Sequence, residues 1–166
     1  NPDSEDVGLF RSRNLNFAIN NASQKFRDEI GIRTKKLFGG TQTITGRFLH
    51  EDNIQKYSTK YRSILQNIEN IIKSCQEDPY KCQKVLIYHD RVTMSGAILL
   101  SELLRENNML DESSGLSHNT KCMICGEFMS SHKSDINEKL ILRDHTFAPV
   151  RFTVVHSYMD RTKMSD

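Results

Sequence analysis

The sequence contains no segment that could cross a membrane or direct secretion. Its longest apolar run, GAILL at residues 96–100, is far too short to span a bilayer. The N-terminal NPDSEDVG has neither the basic start nor the apolar stretch of a signal peptide. The chain also lacks an initiator methionine, and Asp166 follows a strand-like segment without evident closure. We therefore expect a piece of a longer polypeptide that has no membrane partner.

A phosphate-binding loop of the form GxxxxGK[ST] is also missing, so the chain offers no cradle for the β and γ phosphates of a nucleotide. Charge is equally uninformative. The 23 basic and 21 acidic residues give a formal net charge of +2, which is too small to identify nucleic-acid binding by itself. The basic cluster RTKK at residues 33–36 is compatible with phosphate contact and with ordinary solvated surface.

The four cysteines are not those of a disulfide-stapled domain. Without a secretory signal, they indicate reduced thiols in a reducing compartment. Cys122 and Cys125 form a CxxC pair. Cys75 and Cys82 flank a turn predicted around Pro79, and we interpret them as structural or incidental.

The first 52 residues are polar and weakly periodic, which is typical of a connecting segment. They include one possible short strand at 15–20 and a glycine-rich loop at 38–46. From residue 53 the apolar residues recur every three to four positions, which predicts an amphipathic helix over 53–74. The residues of this stripe are Ile54, Tyr57, Tyr61, Ile64, Leu65, Ile68, Ile71 and Ile72.

Residues 53–166 are predicted to form an α/β layer. The continuous apolar run at 84–90 is typical of a buried parallel strand, and the pattern at 93–108 predicts a helix with Thr93 as its N-cap. A second strand is predicted at 151–157. This order indicates a parallel crossover through the helix, interrupted by an insertion at about 111–148. Because two strands cannot form a stable open sheet, we expect further strands from elsewhere.

The start of the 93–108 helix is a candidate phosphate site, because ligands of open α/β sheets bind near the helices that follow the strands. Free backbone N–H groups, short hydroxyls and one cation lie together there. The alternative is a simple capped helix. The candidate nucleic-acid-binding residues are Arg91, Thr93, Ser95 and Gly96.

The polar insertion carries a candidate zinc site. Two cysteines and two histidines have the spacing of a closed, structural Cys₂His₂ site: Cys122, Cys125, His132 and His145, with His118 as a competing ligand. A catalytic zinc would need an open position and a nearby base, and Glu127 just after the CxxC is more typical of a solvent-facing side chain. A structural zinc would order an insertion that has few large apolar residues.

The order of these segments resembles a known family. YSTKY at 57–61, the strand and helix at 84–112, the CxxC with its histidines, and FAPVRFTVVHSYMDR at 147–161 resemble the second RecA-like lobe of superfamily 2 helicases. More narrowly, they are similar to early-transcription-factor ATPases of nucleocytoplasmic large DNA viruses, the group that includes the small subunit of the poxvirus factor. The resemblance covers roughly residues 10–166.

The resemblance implies a partial RecA-like lobe that packs against a first helicase lobe, with ATP and Mg²⁺ bound in the complete parent protein. It implies that Arg91, Thr93, Ser95 and Gly96 contact a nucleic-acid backbone, with DNA favoured. It also implies partners in viral RNA polymerase or another transcription factor subunit, and a location in viral factories of the host cytoplasm and in the virion. Without the phosphate loop, this chain alone is not expected to hydrolyse ATP. The alternative is a non-motor, zinc-bearing α/β adaptor that recruits nucleic acid or polymerase.

Overall fold

Within the part of the chain that the structure describes, helices are combined with two two-stranded sheets. The computed structural model describes residues 24–37, 42–78, 80, 82–93, 96–132 and 145–156. The predicted strand at 15–20 and the candidate residue Ser95 lie outside them. The elements, in chain order, are α1 (Gln24–Ile30), β1 (Ile32–Lys36), β2 (Gln42–Gly46), a 3₁₀ turn (Arg47–Leu49), α2 (Glu51–Tyr57), α3 (Thr59–Glu77), α4 (Ala97–Glu106), β3 (Leu110–Asp111) and β4 (Arg151–Phe152).

Two helices, α2 and α3, share the apolar stripe that the sequence predicts as one helix. Ser58 separates them because its backbone is extended, at φ −154° and ψ 108°. Its Oγ accepts a hydrogen bond from the N–H of Tyr61 at 3.2 Å, which caps α3. The predicted periodicity is confirmed, since the stripe residues of α3 are buried or half-buried. No helix in the described ranges has both the length and the apolar character needed to cross a bilayer.

Helix α4 begins later than the sequence predicts, and Thr93 is not its N-cap. The helix starts at Ala97, with Gly96 at the cap position and no capping side chain. A Cβ on residue 96 would clash with the backbone carbonyl of Arg91, so only glycine fits this approach of the two backbones. Backbone hydrogen bonds to residues 91–93 replace the expected side-chain cap.

Strands β1 and β2 form an antiparallel ribbon, with Ile32 opposite Gly46 and Lys36 opposite Gln42. The ribbon packs on α4 through β2, whose Thr43 and Ile44 are buried. A Cβ on Gly46 would clash with the carbonyl oxygen of Gly31, and both glycines have positive φ. The segment before residue 53 therefore contributes to the core.

One apolar core joins the ribbon, the 3₁₀ turn and helices α2 to α4. Its members are buried hydrophobic side chains from all of these elements: Ile30, Ile44, Phe48, Leu49, Ile54, Tyr61, Leu65, Ile68, Ile72, Leu99, Leu100, Leu103, Leu104, Met109 and Val150.

The prediction of a buried parallel strand at 84–90 is wrong for this structure. None of its residues belongs to a strand, and Leu86 and Tyr88 are 94% and 87% exposed. The physical reason is that no described strand lies beside this segment to satisfy its backbone. Instead, the segment borders an apolar groove of about 810 Å³, whose other sides come from α3, α4 and residues 149–155.

The second predicted strand is present in shorter form as β4. It pairs with β3 in parallel, with Leu110 opposite Arg151 and Asp111 opposite Phe152. Strand β3 was not predicted, because two residues carry no periodicity. The RecA-like architecture therefore stays a prediction, and no larger sheet is formed by the described residues.

The expectation that all four cysteines are reduced thiols is wrong for one pair. Cys75 and Cys82 form a disulfide, with their Cα atoms 4.6 Å apart. An argument from the cellular compartment could not predict this pair, because it does not consider distance, and the two Cα atoms lie within disulfide range. The bridge ties the C-terminal end of α3 to the exposed segment at 82–89.

Candidate metal centre

The CxxC pair lies in a tight turn, here called the knuckle (residues 118–132). The N–H of Gly126 donates to the carbonyl of Cys122 at 2.9 Å, and the N–H of Cys122 donates to the carbonyl of Glu127 at 2.8 Å. Gly126 has a φ of 75°, a conformation that glycine adopts without steric cost. Both cysteine side chains thus come from one turn of the chain.

Backbone hydrogen bonds fix the knuckle to the rest of the protein. The N–H of Met123 donates to the carbonyl of Ala148 at 2.7 Å, and the N–H of Val150 donates to that of Lys121 at 3.0 Å. Gly126 also lies directly against the side chain of Gln76, where a Cβ would clash. The knuckle therefore lies between the end of α3 and the residues that precede β4.

The structure brings the four predicted ligands together. The ligand atoms of the two cysteines and two histidines all lie within 4.8 Å of one another: Cys122, Cys125, His132 and His145. Nε2 of His145 lies 3.1 Å from Nε2 of His132 and 3.5 Å from Sγ of Cys122. Segment 133–144, which connects the two histidines, lies outside the described residues.

Two of these distances can be compared with the geometry that zinc requires. Zinc–nitrogen bonds of about 2.0–2.1 Å and zinc–sulfur bonds of about 2.3 Å, arranged tetrahedrally, separate two nitrogens by about 3.3 Å and a nitrogen from a sulfur by about 3.5 Å. Both observed separations lie close to these values. A cluster with two thiols and two imidazoles and no carboxylate also has the softness that favours zinc over magnesium or calcium.

The surroundings of Cys122 favour its thiolate form. Burial of this side chain opposes ionisation, but the N–H groups of Ala148, Cys125 and Ile124 point at the sulfur, and their sum lowers the pKa of the thiol. A thiolate is the form that binds a metal. The environment of Cys122 is thus suited to a metal ligand.

The imidazole of His132 is held from two sides. Its ring makes edge-to-face contacts with Phe147 at 5.2 Å and with His145 at 5.0 Å between ring centroids. Its backbone N–H donates to the carbonyl of Phe128 at 2.9 Å. Neither Phe147 nor the Ala148 amide could be recognised from the sequence, because neither residue type is a metal ligand.

Neither His118, the alternative zinc ligand, nor Glu127, the acidic residue after the CxxC, belongs to the cluster. His118 is exposed and is not among the clustered ligands, although its carbonyl accepts a hydrogen bond from the N–H of Ser130. The side chain of Glu127 is also exposed. The group that could hold a metal is therefore closed by four protein ligands and contains no carboxylate base.

The candidate nucleic-acid residues at the start of α4 are arranged differently from the expected phosphate site. The N–H groups of residues 96, 97 and 98 donate to the carbonyls of Thr93, Arg91 and Val92 at 2.9–3.1 Å. Gly96 is buried, Thr93 is half-buried, and Arg91 is exposed. Because these amide groups already have acceptors, Arg91 is the most accessible of the described candidate residues, and its nucleic-acid role stays a prediction.

Comparison with known proteins finds relatives among viral transcription proteins. The chain is 33% identical over 160 residues to an early transcription factor large subunit homolog of African swine fever virus from a Malawi tick isolate. Homologs from a Kenyan and a South African isolate are 32% identical over the same length. The chain is thus similar to part of a viral early transcription factor subunit.

The alignments cover 92% of this chain and 13% of each relative. The expected resemblance to a viral early transcription factor is confirmed, but these relatives are named as large-subunit homologs, whereas the sequence motifs suggested the small-subunit group. No family model matches the chain. No solved structure matches it either.

Proposed function

We propose that this chain is a zinc-bearing binding module of a viral early transcription factor, acting in early viral transcription. The similarity to large-subunit homologs over 92% of the chain carries the proposal. The chain spans only 13% of the length of those relatives, so any activity of the whole protein is also proposed here and does not follow from the similarity. In this role the module contacts nucleic acid, viral RNA polymerase or another transcription factor subunit, in the host cytoplasm or in the virion.

The zinc in this proposal is structural. Cys122, Cys125, His132 and His145 would hold it, and its chemistry is to crosslink four side chains of a segment that has little apolar packing. The backbone hydrogen bonds of the knuckle to Ala148 and Val150 would then transmit that order to β4. The surface of the knuckle becomes a fixed shape that a partner can bind.

Early-promoter transcription with the parent protein tests the proposal. We expect His145→Ala to abolish transcription from an early promoter in a reconstituted assay, because the knuckle loses its metal. His118→Ala is the matched control, since it removes an exposed histidine of the same module that is not in the cluster. Equal transcription by wild type and His145→Ala, with zinc absent from the variant, would overturn the proposal.

A second candidate function is the C-terminal RecA-like lobe of an ATP-dependent helicase or translocase. The parallel pairing of β3 with β4 and the apolar groove beside residues 83–89 favour it, because additional strands could occupy that groove and extend the sheet. ATP and Mg²⁺ would then bind in the complete parent protein between this lobe and a first lobe.

Hydrolysis assays test this second candidate. The chain by itself is expected to show no turnover with Mg²⁺ and ATP, because it has no phosphate loop. The complete parent protein is expected to hydrolyse ATP faster when DNA is present, and Arg91→Gln should reduce that stimulation. A parent protein without nucleic-acid-stimulated hydrolysis would exclude the helicase assignment.

A further inference from the structure

The ribbon of β1 and β2, extended by Arg47, carries charge of one sign. Between Glu29 and Glu51 the sequence contains four basic residues and no acidic one: Arg33, Lys35, Lys36 and Arg47. For the whole chain, in contrast, basic and acidic residues nearly balance. The positive charge is therefore concentrated on one element.

Three of these four cations are available to a partner. Lys35 forms an ion pair with the buried carboxylate of Glu102 at 2.8 Å. Within the described ranges, no carboxylate pairs with Arg33, Lys36 or Arg47, and all three are exposed. The hydroxyl group of Thr34 lies between Arg33 and Lys36 in sequence and belongs to an exposed residue.

The ribbon holds these groups on a supported scaffold. Strand β2 is buried against α4, and Lys35 anchors β1 to the same helix through Glu102. Among the described residues β1 pairs with β2 alone, so its other edge has no partner strand there. Arg33 and Lys36 are three residues apart, which separates their Cα atoms by about 10 Å along an extended strand. The cations are thus presented on both faces of one exposed edge.

We propose that this edge binds the phosphate backbone of duplex DNA. Arginine and lysine side chains neutralise phosphates without regard to sequence, and a threonine hydroxyl adds a hydrogen-bond donor. A two-stranded ribbon is also narrow enough to approach a DNA groove. The inference deepens the nucleic-acid part of the proposed function and does not depend on the metal. The competing explanation is that exposed lysine on an edge strand only prevents association between sheets.

Binding to a short fluorescent DNA duplex, followed by anisotropy as a function of salt, tests the proposal with the full chain. The variant R33Q/K36Q/R47Q is expected to bind about tenfold more weakly or worse at low salt. The slope of log K against log salt concentration should become shallower by about three, since each lost phosphate contact contributes about 0.9. R33Q/K36Q is a second variant that keeps Arg47, whose side chain lies over Gly31.

The control variant K56Q/K60Q/K73Q removes the same charge from exposed positions on α2 and α3. It should keep most of the affinity and the wild-type slope. Equal weakening of DNA binding by both triple variants would show that net charge alone explains the effect, and would overturn the assignment of the ribbon as the DNA site. Wild-type affinity in the ribbon variants would overturn it as well. Tighter binding of duplex RNA than of duplex DNA would overturn the choice of DNA. Loss of early-promoter transcription in His145→Ala, with DNA binding intact, would separate this inference from the role of the knuckle.

Discussion

The helical body and the knuckle differ in how much apolar surface they bury. The helical body, which comprises the ribbon, the 3₁₀ turn and α2 to α4, buries a continuous set of large apolar side chains. Within residues 112–132 the only buried hydrophobic side chain is Cys122, and Met123 is partly buried against the core. The comparison indicates that burial of apolar area supports the first region, whereas the second has little apolar burial and is the region in which we propose a metal crosslink.

The largest expected effect separates the two regions by removing the metal. Cys125→Ser should reduce zinc from one ion per chain to none, because a hydroxyl is a poor ligand in a Cys₂His₂ site. The peptide bonds of residues 113–132 should then become accessible to protease, while the helical body keeps its circular dichroism. Elemental analysis and limited proteolysis measure both. Equal zinc content in wild type and variant would contradict the site.

The second largest expected effect comes from a substitution that destabilises the helical body and leaves the metal site intact. Leu103→Ala truncates a fully buried side chain of α4 and should lower the free energy of unfolding by about 3 kcal/mol. Urea unfolding measures the loss, and zinc content under native conditions should stay at the wild-type value. Loss of zinc together with loss of stability would show that metal binding by the knuckle depends on the stability of the helical body.

A buried polar residue joins helices within the body, and its removal should cost somewhat less. The Oδ1 atom of Asn107 accepts from the N–H of Glu51 at 2.8 Å, and its Nδ2 donates to the carbonyls of Leu49 and Leu103. Asn107→Ala removes the side-chain partners of the Glu51 N–H and the Leu49 carbonyl and should cost about 2 kcal/mol. The exposed residue Asn67 provides the control, since Asn67→Ala should change the urea midpoint little.

The smallest predicted effect lies at the boundary between the regions. Burial of Asp111 opposes its ionisation, but the N–H of Ser113 and the guanidinium of Arg105 outweigh it and hold its pKa below the usual value. Its ionised form is therefore favoured in the folded state. The stability that ionised Asp111 contributes to the folded state is fully present above the unfolded pKa of about 3.9. It is lost as the pH falls through the lower pKa of the folded state.

Asp111→Asn should therefore lower stability by about 1 kcal/mol near neutral pH. The difference from wild type should shrink as acid protonates the native carboxylate. Urea unfolding at neutral and at acidic pH measures this change. A difference that stays constant across the range would assign the effect to packing and not to charge.

The residues that the sequence predicted well are those whose role depends on local spacing. The apolar period of α3 and the CxxC spacing are local, and the structure has both. The start of α4 was missed because Gly96 is required by a contact with the backbone at Arg91, which no propensity for a capping residue encodes. The exposed segment at 84–89 was missed for the opposite reason, since its composition predicts burial that the described residues do not provide.

The sequence predicted the four residues of the metal cluster, but it did not predict the residues that surround them. Spacing alone left His118 as an alternative, and only the fold of the knuckle placed it outside the cluster. The amide of Ala148 and the ring of Phe147 act through three-dimensional contacts, so neither could be recognised from residue type.

A chain of ion pairs crosses α4 from the ribbon to the beginning of the insertion. Lys35 contacts Glu102, Glu102 contacts Arg105, and Arg105 contacts Asp111. The side chain of Glu102 is 3% exposed, so loss of its cationic partners would leave a buried charge unmatched. We therefore expect substitutions at these positions to be coupled. In related sequences we expect a neutral residue at position 102 to occur together with a neutral residue at position 35 or 105, as a paired replacement.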